Sequence, residues 1–295
     1  MSTESLRIMT FNTWNTGRNV EDGLYKLARH IALVNPDAVG LQEIMTPGNF
    51  STLMQMLGPS WTGIYKDDHY PDSAILTRHK FQTNSTFQTE WCIAAKIELT
   101  DSQESISMAN CHLDYTSYGP YAAYNKMVTK LDQIMAGEFS GRAQGIYELI
   151  QHDKMKLWIK KSNLTPLIVT GDFNAPSHLD WTDDVKKIHG DWKVVWPSSK
   201  AMEDAGFIDS YYVTNRHSPP SDGYTWSTVN KFNPDWNYTI PEPMDRIDFI
   251  FSQGRIKPAV STRYAGTEPL KRIPYHQQND YPSDHYAVVS DFRFL

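Results

Sequence analysis

Short apolar runs alternate along this chain with stretches of helical periodicity, and this alternation restricts the fold more than any other feature of the sequence. The runs LIVT (167–170) and IDFIF (247–251) contain almost no polar residues. A strand with one face in water would alternate polar and apolar residues, so these runs belong to sheets that are covered on both faces. We therefore expect an α/β protein with buried sheets.

The same two patterns predict the individual elements. Leu24, Leu27 and Ile31 recur at helical spacing, whereas short apolar runs bounded by turn residues are typical of strands. The segment 175–240 is expected to be rich in loops. Helices are predicted over 20–34, 121–136 and 142–160, and strands over 6–12, 38–43, 73–77, 91–99, 105–113, 166–172, 247–251 and 286–293.

The strands predicted at 91–99 and 105–113 form a hairpin, since only the polar stretch TDSQE separates them. In a symmetric hairpin Cys92 lies opposite Cys111, and the chain has no other cysteine. A disulfide between adjacent antiparallel strands is usually strained. We therefore favour two small core residues without a bridge, in a protein that needs no disulfide framework.

The charge balance of the chain bears on its partners. Its 295 residues carry a formal net charge of −6, whereas proteins that grip nucleic acid usually present a basic face. The charge therefore does not favour a nucleic-acid partner unless a local basic groove exists, and the carboxylate excess suits a metal site. The N-terminus lacks the pattern of a leader, and no long apolar run could span a membrane. We expect a soluble cytoplasmic protein, or a secreted one if a leader has been removed.

Polar side chains gather where the predicted strands end, which is where sheet proteins bring together catalytic groups from distant positions. Asp248 lies within the run RIDFIF, where an unpaired buried carboxylate would be costly. Each residue alone is more often a cap, a turn or a surface acid, but the ordered set favours a catalytic site. In chain order the set is Asn12, Glu43, His112, Asp114, Asp172, Asn174, Asp248, Asp284 and His285.

These residue types suit metal-assisted phosphate chemistry. Mg²⁺ or Mn²⁺ prefers oxygen ligands, which Glu43 and Asp284 could supply, with Asn12 or Asn174 nearby. Cleavage of a phosphate ester needs charge neutralisation, an aimed water molecule and a proton for the leaving oxygen. A histidine paired with an aspartate suits proton transfer near neutral pH.

Six motifs resemble those of the endonuclease/exonuclease/phosphatase superfamily and occur in the family order. They cover nearly the whole chain, from about Ile8 to the C-terminus, and GDFN followed by SDH is a highly specific combination. The motifs are MTFNTWN (9–15), LQE (41–43), NCHLD (110–114), GDFNAPS (171–177), DRIDFIF (245–251) and PSDHYAVV (282–289).

The resemblance implies the fold and the cofactor. The fold would be a four-layer α/β sandwich of the deoxyribonuclease I type, in which helices flank two central mixed β-sheets. The chain would form a single domain over residues 1–295. A Mg²⁺ or Mn²⁺ ion would be held mainly by Glu43, with Asn12 and Asp284 close by.

The resemblance also implies the catalytic roles. His285 would be the catalytic histidine, and Asp248 would orient it. Asp172 would orient or deprotonate the attacking water, or act on the leaving group, while Asn174 and His112 would bind the scissile phosphate. The chain would then be a metal-dependent phosphoric ester hydrolase of the EC 3.1 class.

The substrate is less constrained. With a histidine at position 112, the motif NCHLD resembles that of the deoxyribonuclease I, sphingomyelinase, deadenylase and inositol-phosphatase branches of the family. The abasic-site nucleases of the family have a tyrosine-centred strand at this place. Aromatic side chains bind flat or apolar groups, and we expect Tyr115, Tyr118 and Trp226 to contact substrate, although a single aromatic residue more often packs a loop. We expect Arg246 to pair with an acid.

The leading hypothesis is a phosphodiesterase or phosphatase that acts on an organic, non-polymeric phosphate. A nuclease on DNA or RNA is one alternative, and salt-dependent binding to oligonucleotides would support it. A sphingomyelinase-like phospholipid diesterase is another, but the sequence shows no convincing apolar hairpin. The intact polar set argues against a non-catalytic binding module. Whether a mono- or diester is cut, the number of metal ions and the oligomeric state stay open.

Overall fold

The structure is a computed structural model that describes residues 5–100 and 102–295, together with all side chains in these ranges except those at 220 and 235. The first four residues, on which part of the leader prediction rests, and residue 101 in the predicted hairpin turn lie outside the described residues. The strands are β1 (Ser5–Asn12), β2 (Ala38–Ile44), β3 (Thr62–Tyr65), β4 (Asp72–Thr77), β5 (Lys80–Phe81), β6 (Phe87–Gln88), β7 (Cys92–Glu98), β8 (Ser105–His112), β9 (Leu167–Asp172), β10 (Ile208–Asp209), β11 (Asp248–Gln253), β12 (Ile256–Tyr264) and β13 (Ala287–Phe294).

The α-helices are short and lie between the strands in sequence. No helix in the described part of the chain is long and apolar enough to cross a membrane. The α-helices are α1 (Gly23–Val34), α2 (Pro47–Leu57), α3 (Gly119–Tyr124), α4 (Leu131–Met135), α5 (Ala143–Gln151), α6 (Asp153–Lys160), α7 (Pro197–Asp204) and α8 (Ser210–Thr214).

The strands form two mixed sheets. The first sheet has the strand order β12–β13–β1–β2–β4–β3, and the second has the order β10–β11–β9–β8–β7–β5, with β6 beside β7. Strand β1 is parallel to β2, and β8 is parallel to β9, whereas the remaining neighbours are antiparallel. Each sheet therefore has one parallel pair near its centre, and the carboxyl ends of these pairs carry polar residues.

Three apolar clusters separate four layers. Residues such as Ile8, Met108 and Phe292 fill the space between the two sheets. Leu27 of α1 belongs to the cluster that covers the outer face of the first sheet, together with residues of α2. Leu149 of α5 belongs to the cluster on the second sheet, which α6 and α7 complete. The predicted four-layer α/β sandwich, with helices outside two central mixed sheets, is confirmed.

A buried polar seam locks the two sheets together just beneath the polar strand ends. The Asn110 amide on β8 donates to the carbonyl oxygens of Leu41 and Ala74 at 2.8 and 3.0 Å. Its oxygen accepts from Gln42 Nε2 at 2.6 Å and from Thr170 Oγ1 at 3.0 Å. Buried polar groups stabilise a fold only when they are satisfied, so this seam fixes the relative position of the sheets.

All eight predicted strands are present, with bounds within two residues of those expected. Two helix predictions are wrong, because each of the segments 121–136 and 142–160 contains a break. The second break is at His152, whose backbone is extended (ψ 135°) and whose ring Nδ1 accepts from the Lys154 N–H. This side chain caps α6 and so ends α5, which helical periodicity does not reveal.

The prediction of two unbridged cysteines is also wrong. Cys92 and Cys111 lie opposite each other as expected, but a disulfide joins them, with 4.1 Å between their Cα atoms. The neighbouring His112 N–H donates to the Trp91 carbonyl, so the cysteine pair is a non-hydrogen-bonded pair. Antiparallel strands approach each other most closely at such pairs, which allows the bridge.

Candidate active site

Polar ends of strands from both sheets meet at one edge of the sandwich. His112 and Asp172 are register partners at the end of the parallel pair β8 and β9. Asp248, the first residue of β11, lies directly opposite Asp172. Asn12 ends β1 in the other sheet, yet its Nδ2 lies 2.9 Å from Asp172 Oδ2. Strand register therefore brings these residues together, as the sequence predicts.

The backbone is bent sharply where it presents several of these side chains. Glu43 has a φ of 63° and lies where the register of β2 and β4 shifts between Leu41 and Ile44. Asp72 (φ 56°) and Asn174 (φ 47°) are also left-handed. Non-glycine residues adopt this conformation at an energetic cost, and such residues cluster at functional sites. The bulge at Glu43 turns its carboxylate towards the edge of the sandwich.

Asn12 holds two carboxylates side by side. Its buried amide nitrogen donates to Glu43 Oε1 at 3.0 Å as well as to Asp172 Oδ2, while its oxygen accepts from the Trp14 N–H at 2.9 Å. The other oxygen of Glu43 accepts from the Asn15 N–H at 2.7 Å. In this arrangement Asn12 positions the carboxylates, and its predicted role as a metal ligand stays a prediction.

His285 is buried among three carboxylates. Its Nδ1 lies 2.9 Å from Asp248 Oδ2, which orients the ring, and its Nε2 lies 3.7 Å from Asp172 Oδ2 and 3.9 Å from Asp284 Oδ1. Burial lowers the pKa of His285, but Asp248, Asp172 and Asp284 outweigh burial and raise this pKa well above its usual value. Burial and the charge of Asp248 raise the pKa of Asp172.

His112 faces Asp172 from the other side and has a partner that sequence reasoning missed. Its Nδ1 lies 2.8 Å from Asp72 Oδ1, and its Nε2 lies 3.7 Å from Asp172 Oδ2. Burial lowers the pKa of His112, but Asp72 and the other nearby carboxylates raise it to about 10. Asp72 begins β4, which is antiparallel to β2. In an antiparallel pair the start of β4 lies beside the end of β2. The acid directly before the predicted strand 73–77 could therefore have been placed near Glu43, if this pairing had been known.

Asp284 offers an oxygen that suits a cation. Its Oδ2 accepts from Trp226 Nε1 at 3.1 Å, whereas its Oδ1 is buried and has no hydrogen-bond partner. Burial raises the pKa of Asp284 to about 7, and the charge of Glu43 contributes to this increase. Because Oδ1 receives no hydrogen bond and Asp284 lines the same cavity as Glu43, the donor set of Glu43 and Asp284 fits a hard divalent cation.

A second set of potential ligands lies beside the first. Asp172, Asp248 and His285 present ligand atoms that all lie within 4.8 Å of one another. Two of these atoms belong to groups that already pair with each other, since His285 Nδ1 contacts Asp248. The geometry therefore offers two adjacent donor sets, either of which could hold a divalent cation.

One cavity of about 290 Å³ is lined by the polar residues Glu43, His112, Asp172, Asn174, Asp284 and His285. All three predicted substrate-contacting aromatic residues, Tyr115, Tyr118 and Trp226, lie in its wall, together with Tyr121 of the same segment, and Asn233 extends the wall without having been predicted. The rings of Tyr118, Tyr121 and Trp226 meet edge to face, with centroids 5.3–6.4 Å apart. The cavity therefore combines an anionic floor with an aromatic side.

Other polar residues that the sequence highlights serve the scaffold. Asp114 accepts from the backbone of its own turn and is not in the cavity wall. Arg142 is buried, pairs with Glu138 and donates to carbonyl oxygens of the loop that follows β8. Arg246 pairs with Asp209 at 2.7 Å and with a second acid, as predicted.

A sequence model of the Endonuclease/Exonuclease/phosphatase family matches residues 9–285. The chain therefore belongs to this family, whose members are metal-dependent phosphoric ester hydrolases, and it is an enzyme of that class. A protein of Caenorhabditis elegans, Uncharacterized protein F14F9.5, is 50% identical to it over 294 residues, which is 100% of this chain and 93% of that protein.

Solved structures confirm the fold. The structure of D. rerio TDP2 complexed with single strand DNA product is 18% identical, with a TM-score of 0.60, and the match covers 98% of this chain and 99% of that one. The human Nocturnin catalytic domain with bound sulfate anion is 19% identical, with a TM-score of 0.58, over 99% of this chain and 95% of that one. At these identities the likeness shows the shared fold alone.

Proposed function

We propose that this enzyme hydrolyses the phosphate ester of a small, non-polymeric organic compound, with Mg²⁺ or Mn²⁺ bound mainly by Glu43 and Asp284. The observation that carries the proposal is the convergence of this carboxylate pair with Asp172 and His285 in one cavity, where Asp248 holds the His285 ring from behind the wall. Carboxylate oxygens are the ligands that these cations prefer. The paired His285 and Asp248 are placed for proton transfer instead, which favours the first donor set as the metal site.

Each step of hydrolysis has a candidate group in the cavity. The bound cation would neutralise charge on the phosphate. Asp172 Oδ2 lies 3.7 Å from Nε2 of both His112 and His285, and this carboxylate accepts a proton from the attacking water molecule. Because Asp248 holds its Nδ1, His285 presents Nε2 to the cavity and donates a proton to the leaving oxygen.

Two further side chains would hold the phosphate. His112, kept cationic by Asp72, donates to a phosphate oxygen through Nε2. The amide nitrogen of Asn174 donates one hydrogen to the Leu113 carbonyl at 2.9 Å, and its second hydrogen is directed to the phosphate. Fixed donors of this kind stabilise the charge that develops on the phosphate in the transition state.

The negative charge of the cavity supports a compact substrate. The described lining of the cavity contains Glu43, Asp172 and Asp284 but no lysine or arginine. A polynucleotide needs cationic side chains for the phosphates on either side of the scissile one. The DNA product bound to D. rerio TDP2 favours a nuclease as the second candidate function, and one experiment separates the two.

The test is a turnover screen with Mn²⁺ over p-nitrophenyl phosphate, bis(p-nitrophenyl) phosphate, nucleotides, oligonucleotides and phospholipid vesicles. The wild type should hydrolyse small esters, and EDTA or the substitution His285→Ala should remove this activity. An oligonucleotide that is cleaved faster than every small ester, with steep salt dependence, would make the enzyme a nuclease. If no compound in the screen is turned over in a metal-dependent way, the proposal is overturned.

A further inference from the structure

Two grooves adjoin the catalytic cavity, and the charges in their walls differ. The first, the polar groove, shares Glu43 and His112 with the cavity and is also lined by Lys66, Asp68 and Glu90. The second, which we call the outer groove, has a volume of about 550 Å³ and adjoins the aromatic side of the cavity. The part of a substrate that extends beyond the phosphate can therefore enter either the polar groove, which has charged walls, or the outer groove, which has uncharged walls.

The outer groove is built by two segments that are far apart in sequence, and its described lining carries no charged side chain. It is lined by residues of the segment 115–137 and by Asn233 and Trp236, and none of its fourteen described lining residues is charged. Tyr115, Tyr118 and other residues of this lining also belong to the wall of the catalytic cavity. The two spaces are thus continuous, and one ligand can occupy both.

The walls of the outer groove leave large apolar side chains in water. Met127 is 48% exposed, Trp236 is 43% exposed and Tyr115 is 74% exposed. Ala122 and Val128 add aliphatic surface between them. Isolated exposed apolar residues are ordinary, but a group that lines one groove beside a catalytic cavity is typical of a binding surface.

We propose that the outer groove binds an uncharged apolar part of the substrate, an alkyl or aryl group esterified to the phosphate that is cleaved. The inference rests on the proposed function, because it requires the phosphate to lie at Asp172 and His285. A charged group would lose its hydration in the outer groove without finding a counter-charge there. An apolar group would instead cover Met127 and Trp236 and gain from the loss of apolar surface to water.

The test is calorimetric titration of the Mn²⁺-loaded protein with methyl-, butyl- and hexylphosphonate and with 6-phosphonohexanoic acid. Each buried methylene strengthens binding by about fourfold, so hexylphosphonate should bind at least about tenfold tighter than methylphosphonate. The acid-tipped analogue should lose this advantage. In Met127→Asp and in Trp236→Ala, the ratio of the hexyl to the methyl dissociation constant should move back towards one.

The control is Leu33→Asp on α1, which adds the same charge at a side chain that is 63% exposed and does not line the outer groove. This variant should keep the wild-type ratio. Equal binding of the three alkylphosphonates, no binding of any probe, or a wild-type ratio in both groove variants would overturn the inference. Turnover of bis(p-nitrophenyl) phosphate is measured separately, so failure of the proposed function is distinguished from failure of the groove.

Discussion

The floor and the side of the catalytic cavity are built in different ways. The floor consists of polar residues whose positions are fixed by strand register, by the Asn110 seam beneath them and by hydrogen bonds between the sheets. The side consists of aromatic residues on loops and on the short helix α3. The catalytic floor comprises Glu43, Asp172 and His285 in the cavity wall, with Asn12 and Asp248 hydrogen-bonded behind them. The aromatic rim comprises Tyr115, Tyr118, Tyr121 and Trp226 in the cavity wall and Trp236 in the adjoining outer groove.

This difference indicates that the floor carries out the chemistry and that the rim determines which substrate binds. Side chains on packed strands hold the fixed geometry that chemistry on a phosphate requires. Side chains on loops tolerate change and determine what else is bound. We therefore expect floor substitutions to reduce kcat or metal affinity strongly, and rim substitutions to act more weakly and mainly on KM.

The largest effect is expected for His285→Ala. Loss of the imidazole removes the proposed proton donor, so kcat should fall by about 10³-fold within a usual range of roughly 10²–10⁴ for one general acid–base group. Steady-state kinetics with Mn²⁺ measure the change. Circular dichroism should show an intact fold, and a variant within tenfold of wild type would place the catalytic histidine elsewhere.

Glu43→Gln should weaken the metal site. The substitution keeps the size of the side chain but removes the negative charge of a proposed ligand that Asn12 and Asn15 hold in place. The Mn²⁺ concentration for half-maximal activity should rise at least about tenfold, and calorimetry should show the same loss of affinity. An unchanged Mn²⁺ titration would indicate that the ion binds instead at Asp172, Asp248 and His285.

Asp72→Asn tests a residue outside the floor that only the structure identifies, the partner of His112. The amide keeps the shape of the side chain but removes the charge that raises the pKa of His112 and holds its ring. We expect kcat/KM to fall about tenfold, as is usual when a group that orients a functional histidine is lost. Asp68→Asn is the matched control, because this acid lines the polar groove and does not contact His112. Equal activity of the two variants would exclude a positioning role for Asp72.

The smallest effects are expected at the rim. Tyr115→Ala and Tyr118→Ala should lower kcat/KM by about three- to tenfold, mainly through KM, because they remove contact area and leave the floor intact. Tyr118 also donates to Asp245 at 3.2 Å, so Tyr118→Phe separates loss of this hydrogen bond from loss of the ring. A fall in kcat as large as that of His285→Ala would break the distinction between floor and rim.

The sequence predicted the floor because its residues obey local rules. Asp172 and Asp248 come at the ends of apolar runs, and their motifs match the family, so strand register was enough to place them opposite each other. Asp72 could not be found in this way. It follows Pro71 in a stretch that reads as a turn, and its importance arises only when β4 pairs with β2.

The remaining errors depend on a local side-chain cap and on strand pairing. The helix break at His152 depends on a side-chain cap, and the Cys92–Cys111 bridge depends on which pairs of the hairpin are hydrogen-bonded. Neither is encoded in residue periodicity. The sequence also predicted that tyrosines after β8 reach the substrate, but it could not show that Trp236, more than a hundred residues later, lies beside them.

X-ray diffraction at the manganese absorption edge, from crystals grown with Mn²⁺, tests the proposed centre most directly and requires no knowledge of the substrate. The strongest anomalous peak should lie about 2.0–2.3 Å from carboxylate oxygens of Glu43 and Asp284, within reach of a phosphate that contacts His285. A strongest peak outside this cavity, or no peak in it at saturating Mn²⁺, would contradict a metal-dependent hydrolase centred on these residues.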